Sequence, residues 1–152
     1  MSNEFVAKGV KLAKLPSDYG STGFKMFKGS ILNNVEIAYE TWGDLSINND
    51  NAILLFTGLS PSSHAASSEN NKSTGWGEYM IGPNKPIDTN KYFVICVNSL
   101  GSCFGSTSPA SINKATGESY GLTFPELSIE DIAKSGHSVL QTLGIDHAHT
   151  VM

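Results

Sequence analysis

The stretch TGLSPSSHAAS, residues 57–67, gathers the side chains best suited to chemistry. Gly58 and Pro61 bracket Leu59 and Ser60, which predicts a turn whose backbone N–H groups point outward. Donors fixed in that way are what a developing oxyanion requires. An ordinary turn leaving a strand fits the same residues. His64 follows Ser60, Ser62 and Ser63, a base among hydroxyls. Triads assemble from residues distant in sequence, however, so His64 reads as a solvent-facing loop histidine. His137, His147 and His149 raise the question of metal. No carboxylate or Cys stands at ligand spacing, and no metal site is expected. Cys96 lies in an apolar run and reads as inert core. Cys103 lies in a Gly-rich loop with no charged neighbour to activate its thiol.

The elements around this stretch set its position. AILLFT (52–57) and YFVICVN (92–98) are unbroken apolar runs, as expected of strands covered on both faces in a parallel sheet. A strand of that kind delivers the residues after it to the crevice where α/β sheets bind ligands. Upstream, FKMFKGSILNNVEIAYETWG (24–43) predicts β-structure with turns at Lys28-Gly29-Ser30 and Asn33-Asn34. Val35, Ile37, Tyr39 and Thr41 share one face, with Glu36 and Glu40 on the other. That alternation predicts a half-exposed antiparallel pair at the sheet edge.

Long polar loops follow each apolar run, the first with one helical turn around Trp76 to Met80. The second is rich in Gly, Ser, Thr and Asn, and its embedded Leu100, Phe104, Tyr120 and Phe124 favour an ordered loop. LSIEDIAKSGHSVLQTLG predicts a helix capped by Ser128, with Asp131 three residues on. Ile129, Ile132, Ala133, Gly136, Val139, Leu140 and Leu143 form its apolar stripe, and Gly144 is a natural stop. HTVM (149–152) then begins a strand. The order defines an α/β class with an antiparallel edge. Residues 1–23 read as an N-terminal arm and 24–152 as part of a single domain.

Bulk properties exclude several classes. The chain has 152 residues, 39% hydrophobic and 16% charged, with a net charge of −4. That charge argues against nucleic acid and anionic membranes. All ten basic residues are Lys, so no Arg fork is available for a phosphate or carboxylate. No apolar run reaches the roughly 18–20 residues of a membrane span, and the N-terminus lacks a signal-peptide core. Cytoplasm is the default compartment for a chain with two cysteines.

YETWG, TGLSPSSHAAS, IGPNKPIDTNKYFVICVNSLGSCFGSTSPASINKATGESYG and FPELSIEDIA together resemble the homoserine O-acetyltransferase family, from about Val35 to Met152. These are acyl-CoA-dependent enzymes of the α/β-hydrolase fold and include serine O-succinyltransferases. The resemblance implies that the chain is the N-terminal portion of that fold. It implies that Leu59 supplies an oxyanion-hole N–H, and that Gly58, Leu59, Ser60 and Pro61 shape the acceptor pocket. The GLSP form resembles the serine-acylating branch.

The family continues past the strand matched by HTVM into a nucleophile elbow, so the nucleophilic Ser, acid and His are expected beyond residue 152. The implied reaction is ping-pong transfer from acetyl-CoA or succinyl-CoA to L-serine or L-homoserine. It would yield an activated ester for methionine or cysteine biosynthesis, and family members often form homodimers. The 152 residues alone are expected to be inactive and poorly soluble. A plain esterase without CoA dependence and a non-catalytic binding domain are the alternative readings. Gly77, where the family carries Trp, is expected to loosen packing if that site is buried.

Overall fold

The computed structural model describes residues 6–18, 20–58 and 60–152. In chain order the strands are β1 (Lys11–Lys14), β2 (Phe24–Lys25), β3 (Ile31–Leu32), β4 (Glu36–Trp42), β5 (Ala52–Phe56), β6 (Ile81–Gly82), β7 (Ile87–Asp88) and β8 (Phe93–Val97). The helix α1 (Ile129–Thr142) and strand β9 (Thr150–Val151) complete the order. The main sheet runs β1-β4-β8-β5-β9. β5 pairs in parallel with β8 on one side and β9 on the other, while β4 is antiparallel to both β8 and β1. The two apolar runs therefore lie at the centre, as their lack of alternation predicts.

β4 is not at the edge. It lies between β1 and β8, and the edge is taken by β1, inside the stretch read as an arm. Only Ala13 of β1 is buried, so KLAK carries too little apolar pattern to announce a strand. Being internal, β4 is covered on both faces. Ile37 and Tyr39 join Leu54, Ile95, Val97, Val139 and Leu140 beneath α1. Trp42 lies on the opposite face with Ile53, Leu55, Val94, Cys96, Ala65 and Ala66. The second face is thus roofed by the connection between β5 and β8, which contains no helix among its described residues. Trp76–Met80, expected as one helical turn, winds through consecutive turns, with the Ile81 amide on the Gly77 carbonyl at 3.1 Å, and does not extend into a helix.

α1 begins as its sequence predicts. The Ser128 hydroxyl accepts from the Asp131 amide, and the Asp131 carboxylate accepts from the Ser128 amide. At the other end Gly144 has φ of +71°, open to glycine without strain. The Gly144 amide donates to the Gln141 carbonyl and that of Ile145 to Leu140, a Schellman closure. The buried stripe is rotated from expectation. Val139, Leu140 and Gly136 face the sheet, but Ile129 is 78% exposed and Ala133 is also outside. Ile129 is the first helical residue, where the chain is still approaching the sheet. Burying Val139 and Leu140 stabilises the packed face by about 1.5–3 kcal/mol each.

Candidate functional site

The loop after β5 leaves the C-terminal end of the parallel strands, where the topology places a binding crevice. Gly58 and Ser60 are exposed there and Pro61 is half-buried. Leu59, the expected oxyanion donor, lies outside the described residues. Beyond Pro61 the loop turns down onto the sheet, and Ser63, His64, Ala65 and Ala66 are buried in succession.

Sequence reasoning missed what anchors this descent. Glu40, expected on an exposed face, is 3% exposed, and His64, read as a solvent-facing histidine, is 9% exposed. They meet: His64 Nδ1 lies 3.0 Å from Glu40 Oε2, and His64 Nε2 lies 2.9 Å from the Ser73 carbonyl oxygen. A carbonyl and a carboxylate both accept, so the doubly protonated ring, an imidazolium, satisfies both contacts, while Asn71 Nδ2 lies 3.4 Å from Nδ1. Burial opposes that charge. Hydrogen bonds to Glu40 and Ser73, with the nearby negative charges of Glu40 and Glu78, outweigh it and raise the His64 pKa.

Around the pair the polar groups are satisfied. The Ser63 hydroxyl donates to Glu40 Oε1 at 3.1 Å, and the Ser63 amide donates to Asn98 Oδ1 at 2.6 Å. Asn98 Nδ2 donates to the Ser63 hydroxyl and to the Phe104 carbonyl, joining this loop to the one after β8. Period-2 alternation alone cannot reveal such a cluster, because its members come from β4, the loop after β5 and the residue following β8. The available signal was a carboxylate, Glu40, within the largely apolar run IAYETW.

A second clamp holds the far end of the loop. The Ser67 amide and hydroxyl donate to Glu78 at 2.6 and 2.9 Å, and the Gly75 amide adds a third bond at 3.2 Å. These bonds, with Lys85 opposite, hold the Glu78 carboxyl at a pKa of about 2. The indole N–H of Trp42 donates to the carbonyls of Ala66 and Ser67, and that of Trp76 to Ser62. Gly75 packs so closely on the Ala65 backbone that a Cβ would collide with it. Gly77 is buried and lies close against the same backbone. Its amide bonds the Ala65 carbonyl at 2.7 Å, and a Cβ there would lie 3.1 Å from that oxygen.

Ser63, His64 and Glu40 are the residue types of a catalytic triad in the wrong geometry. The Ser63 hydroxyl bonds the carboxylate rather than the imidazole, and the imidazole nitrogen that would accept its proton faces a carbonyl. The cluster therefore supports the loop and is not itself nucleophilic. Cys96 is buried, and desolvation together with the Glu40 charge pushes its thiol far up, away from reactivity. Cys103 is exposed on a cleft of about 1130 Å³ lined also by Glu36, Thr107, Asn113 and Tyr120. None of the residues lining that cleft comes from the 57–67 loop. His137, His147 and His149 are exposed, His149 tilted against the Tyr92 ring at 5.1 Å.

A mixed sheet in the order β1-β4-β8-β5-β9, with a long loop after its third strand in sequence, is the N-terminal portion of an α/β-hydrolase fold. Solved structures agree. A crystallised esterase superposes with a TM-score of 0.82 at 33% identity, covering 93% of this chain and 39% of that one. Homoserine O-acetyltransferase from Bacillus anthracis gives 0.80 at 34%, covering 94% and 39%. No family model matches the sequence. Among curated proteins, the serine O-succinyltransferase of Litchfieldella anticariensis is 64% identical over 127 residues, 84% of this chain and 35% of that protein. That of Xanthomonas oryzae pv. oryzae is 53% identical over 142 residues, 93% of this chain and 34% of its own. The chain belongs to the homoserine O-acetyltransferase family of O-acyltransferases, alongside the serine O-succinyltransferases. It spans about a third of the length of the curated relatives it matches.

Proposed function

We propose that this chain forms the oxyanion side of an acyltransferase site that moves an acyl group from acyl-CoA to the side-chain hydroxyl of an amino acid. The observation that carries the reading is the 64% identity to a serine O-succinyltransferase across the region that includes the 57–67 loop. In this reading the nucleophilic Ser, its His and its acidic partner lie beyond residue 152. The Ser attacks the thioester carbonyl, the carbonyl oxygen gains negative charge, and the Leu59 N–H donates to it. CoA thiol leaves with a proton supplied by the His. The hydroxyl of L-serine or L-homoserine, seated against Gly58, Ser60 and Pro61, then attacks the acyl-enzyme and regenerates the Ser. The donor is succinyl-CoA or acetyl-CoA, and the working protein is a cytoplasmic homodimer in methionine or cysteine biosynthesis.

The test is an assay of the natural full-length protein with L-serine and L-homoserine against both donors, following free thiol. Acceptor-dependent CoA release is the expected result, and residues 1–152 alone should give none above background. A second reading, ester hydrolysis, draws support from the 33% identical esterase. It predicts turnover of para-nitrophenyl esters and no CoA release with either amino acid.

A further inference from the structure

We propose that Glu40 and His64 are positioning residues for this reaction, their buried contact fixing the path of the 57–67 loop so that its leading N–H groups stay aimed at the reacting carbonyl. The inference rests on the reading of that loop as the oxyanion side of the site. Four buried side chains from three separate segments converge on the loop: Glu40 from β4, Ser63 and His64 from the loop, and Asn98 after β8. Apolar contact alone could seat this segment, since Ala65 and Ala66 already pack on Trp42, Ile53 and Val94. Packing is non-directional, however, and tolerates a chain that slides by a fraction of an ångström. Directional bonds do not. The imidazolium is held at one nitrogen by the sheet, through Glu40, and at the other by the Ser73 carbonyl of the returning chain. It bridges the sheet and the returning chain four residues past Ser60.

A buried ion pair is a costly way to gain stability, and apolar residues of equal volume often do as well. What it supplies in addition is geometry. Displacing a catalytic donor by about 1 Å can cost on the order of a hundredfold in rate. The titratable and charged groups facing His64 are Glu40 from β4, Glu78 from the turn after Gly75, and the neutral Cys96 thiol from β8 on the far side of Glu40.

The test uses the natural full-length protein in three forms: wild type, His64→Ala and Glu40→Gln. His64→Ala should lower kcat about ten- to a hundredfold per folded molecule, with KM for acyl-CoA changed less than about twofold. In Glu40→Gln a neutral His64 can accept from the Gln amide and still donate to Ser73. That variant should keep kcat within about threefold of wild type near neutral pH. It should also lose the alkaline fall in kcat that follows deprotonation of His64 in the wild type. A merely structural pair would change the yield of folded enzyme and leave the pH profile in place. Unchanged kcat in His64→Ala, or the same alkaline limb in wild type and Glu40→Gln, overturns the proposal. A crystal structure of the wild type reacted with diethyl para-nitrophenyl phosphate separates this failure from that of the underlying reading. A phosphoryl oxygen bonded to N–H groups of residues 58–60 sustains the reading whatever the variants do. An oxygen bound elsewhere takes down both.

Discussion

Among the described residues two carboxylates are buried, Glu40 at 3% exposure and Asp131 at 1%, and they are satisfied in opposite ways. Asp131 accepts from the Phe27 amide at 2.7 Å and from the amide and hydroxyl of Ser128 at 3.0 and 2.9 Å. Its partners are mostly main chain, and none of them titrates. They stitch the β2–β3 hairpin to the start of α1 on the face away from the 57–67 loop. Glu40 instead takes its bonds from side chains, a hydroxyl and an imidazolium, both on a loop. A carboxylate held by amides secures a fold junction under all ordinary conditions. One held by a histidine ties a mobile type of segment to the sheet through a bond that pH can break.

Removing one partner at each site sharpens the contrast. Glu40→Ala should have the largest effect, about 3–5 kcal/mol, because it leaves the buried His64 ring and Ser63 hydroxyl without their acceptor and opens a cavity beside them. Chemical denaturation of the full-length protein would measure it, and kcat per folded molecule should fall as well. Asp131→Ala should cost about 2–4 kcal/mol by leaving the Phe27 and Ser128 donors without their acceptor. Its kcat per folded molecule should stay at the wild-type value, since the Asp131 bonds run to Phe27 and Ser128 and not to the loop. Equal kinetic losses in the two variants would dissolve the distinction.

The smallest effect is a pH dependence of opposite sign at two groups. The folded-state pKa of His64 is raised, so its contribution is fully present below about pH 6.5, the unfolded value, and is lost as pH rises through the folded-state value. The Glu78 value is lowered, so its contribution is present above about pH 4.5 and disappears as pH falls toward about 2. Thermal melts across the range should therefore lose the His64 part at the alkaline end and the Glu78 part at the acid end. Glu40→Gln should flatten only the former.

These two sites also mark what was legible in the sequence. The Ser128–Asp131 cap was readable because both members lie within one helical turn. The parallel strands β5 and β8 were readable because burial on both faces leaves an unbroken apolar run. The loop at 57–67 was placed by the strand before it. Glu40 was misread because alternation assigns a charged residue to the wet face, and β4 turned out to have none. His64 was misread for the related reason that its partner lies twenty-four positions earlier. Residues that act in space across segments leave no period in the chain. Leu59, expected from the family resemblance to donate to the oxyanion, falls outside the described residues.

The connection that roofs the second face, between β5 and β8, bears on the order in which the molecule can form. Its holding points are Glu40 on β4 and Asn98 just past β8, and the β4–β8 pairing joins segments more than fifty positions apart. Contacts of such long range form slowly, because the intervening chain must first give up its freedom. Until that pairing exists, the loop has apolar residues to bury but no directional partner to fix it. The candidate catalytic loop is therefore among the last parts of the chain to take its shape, after the sheet beneath it is complete.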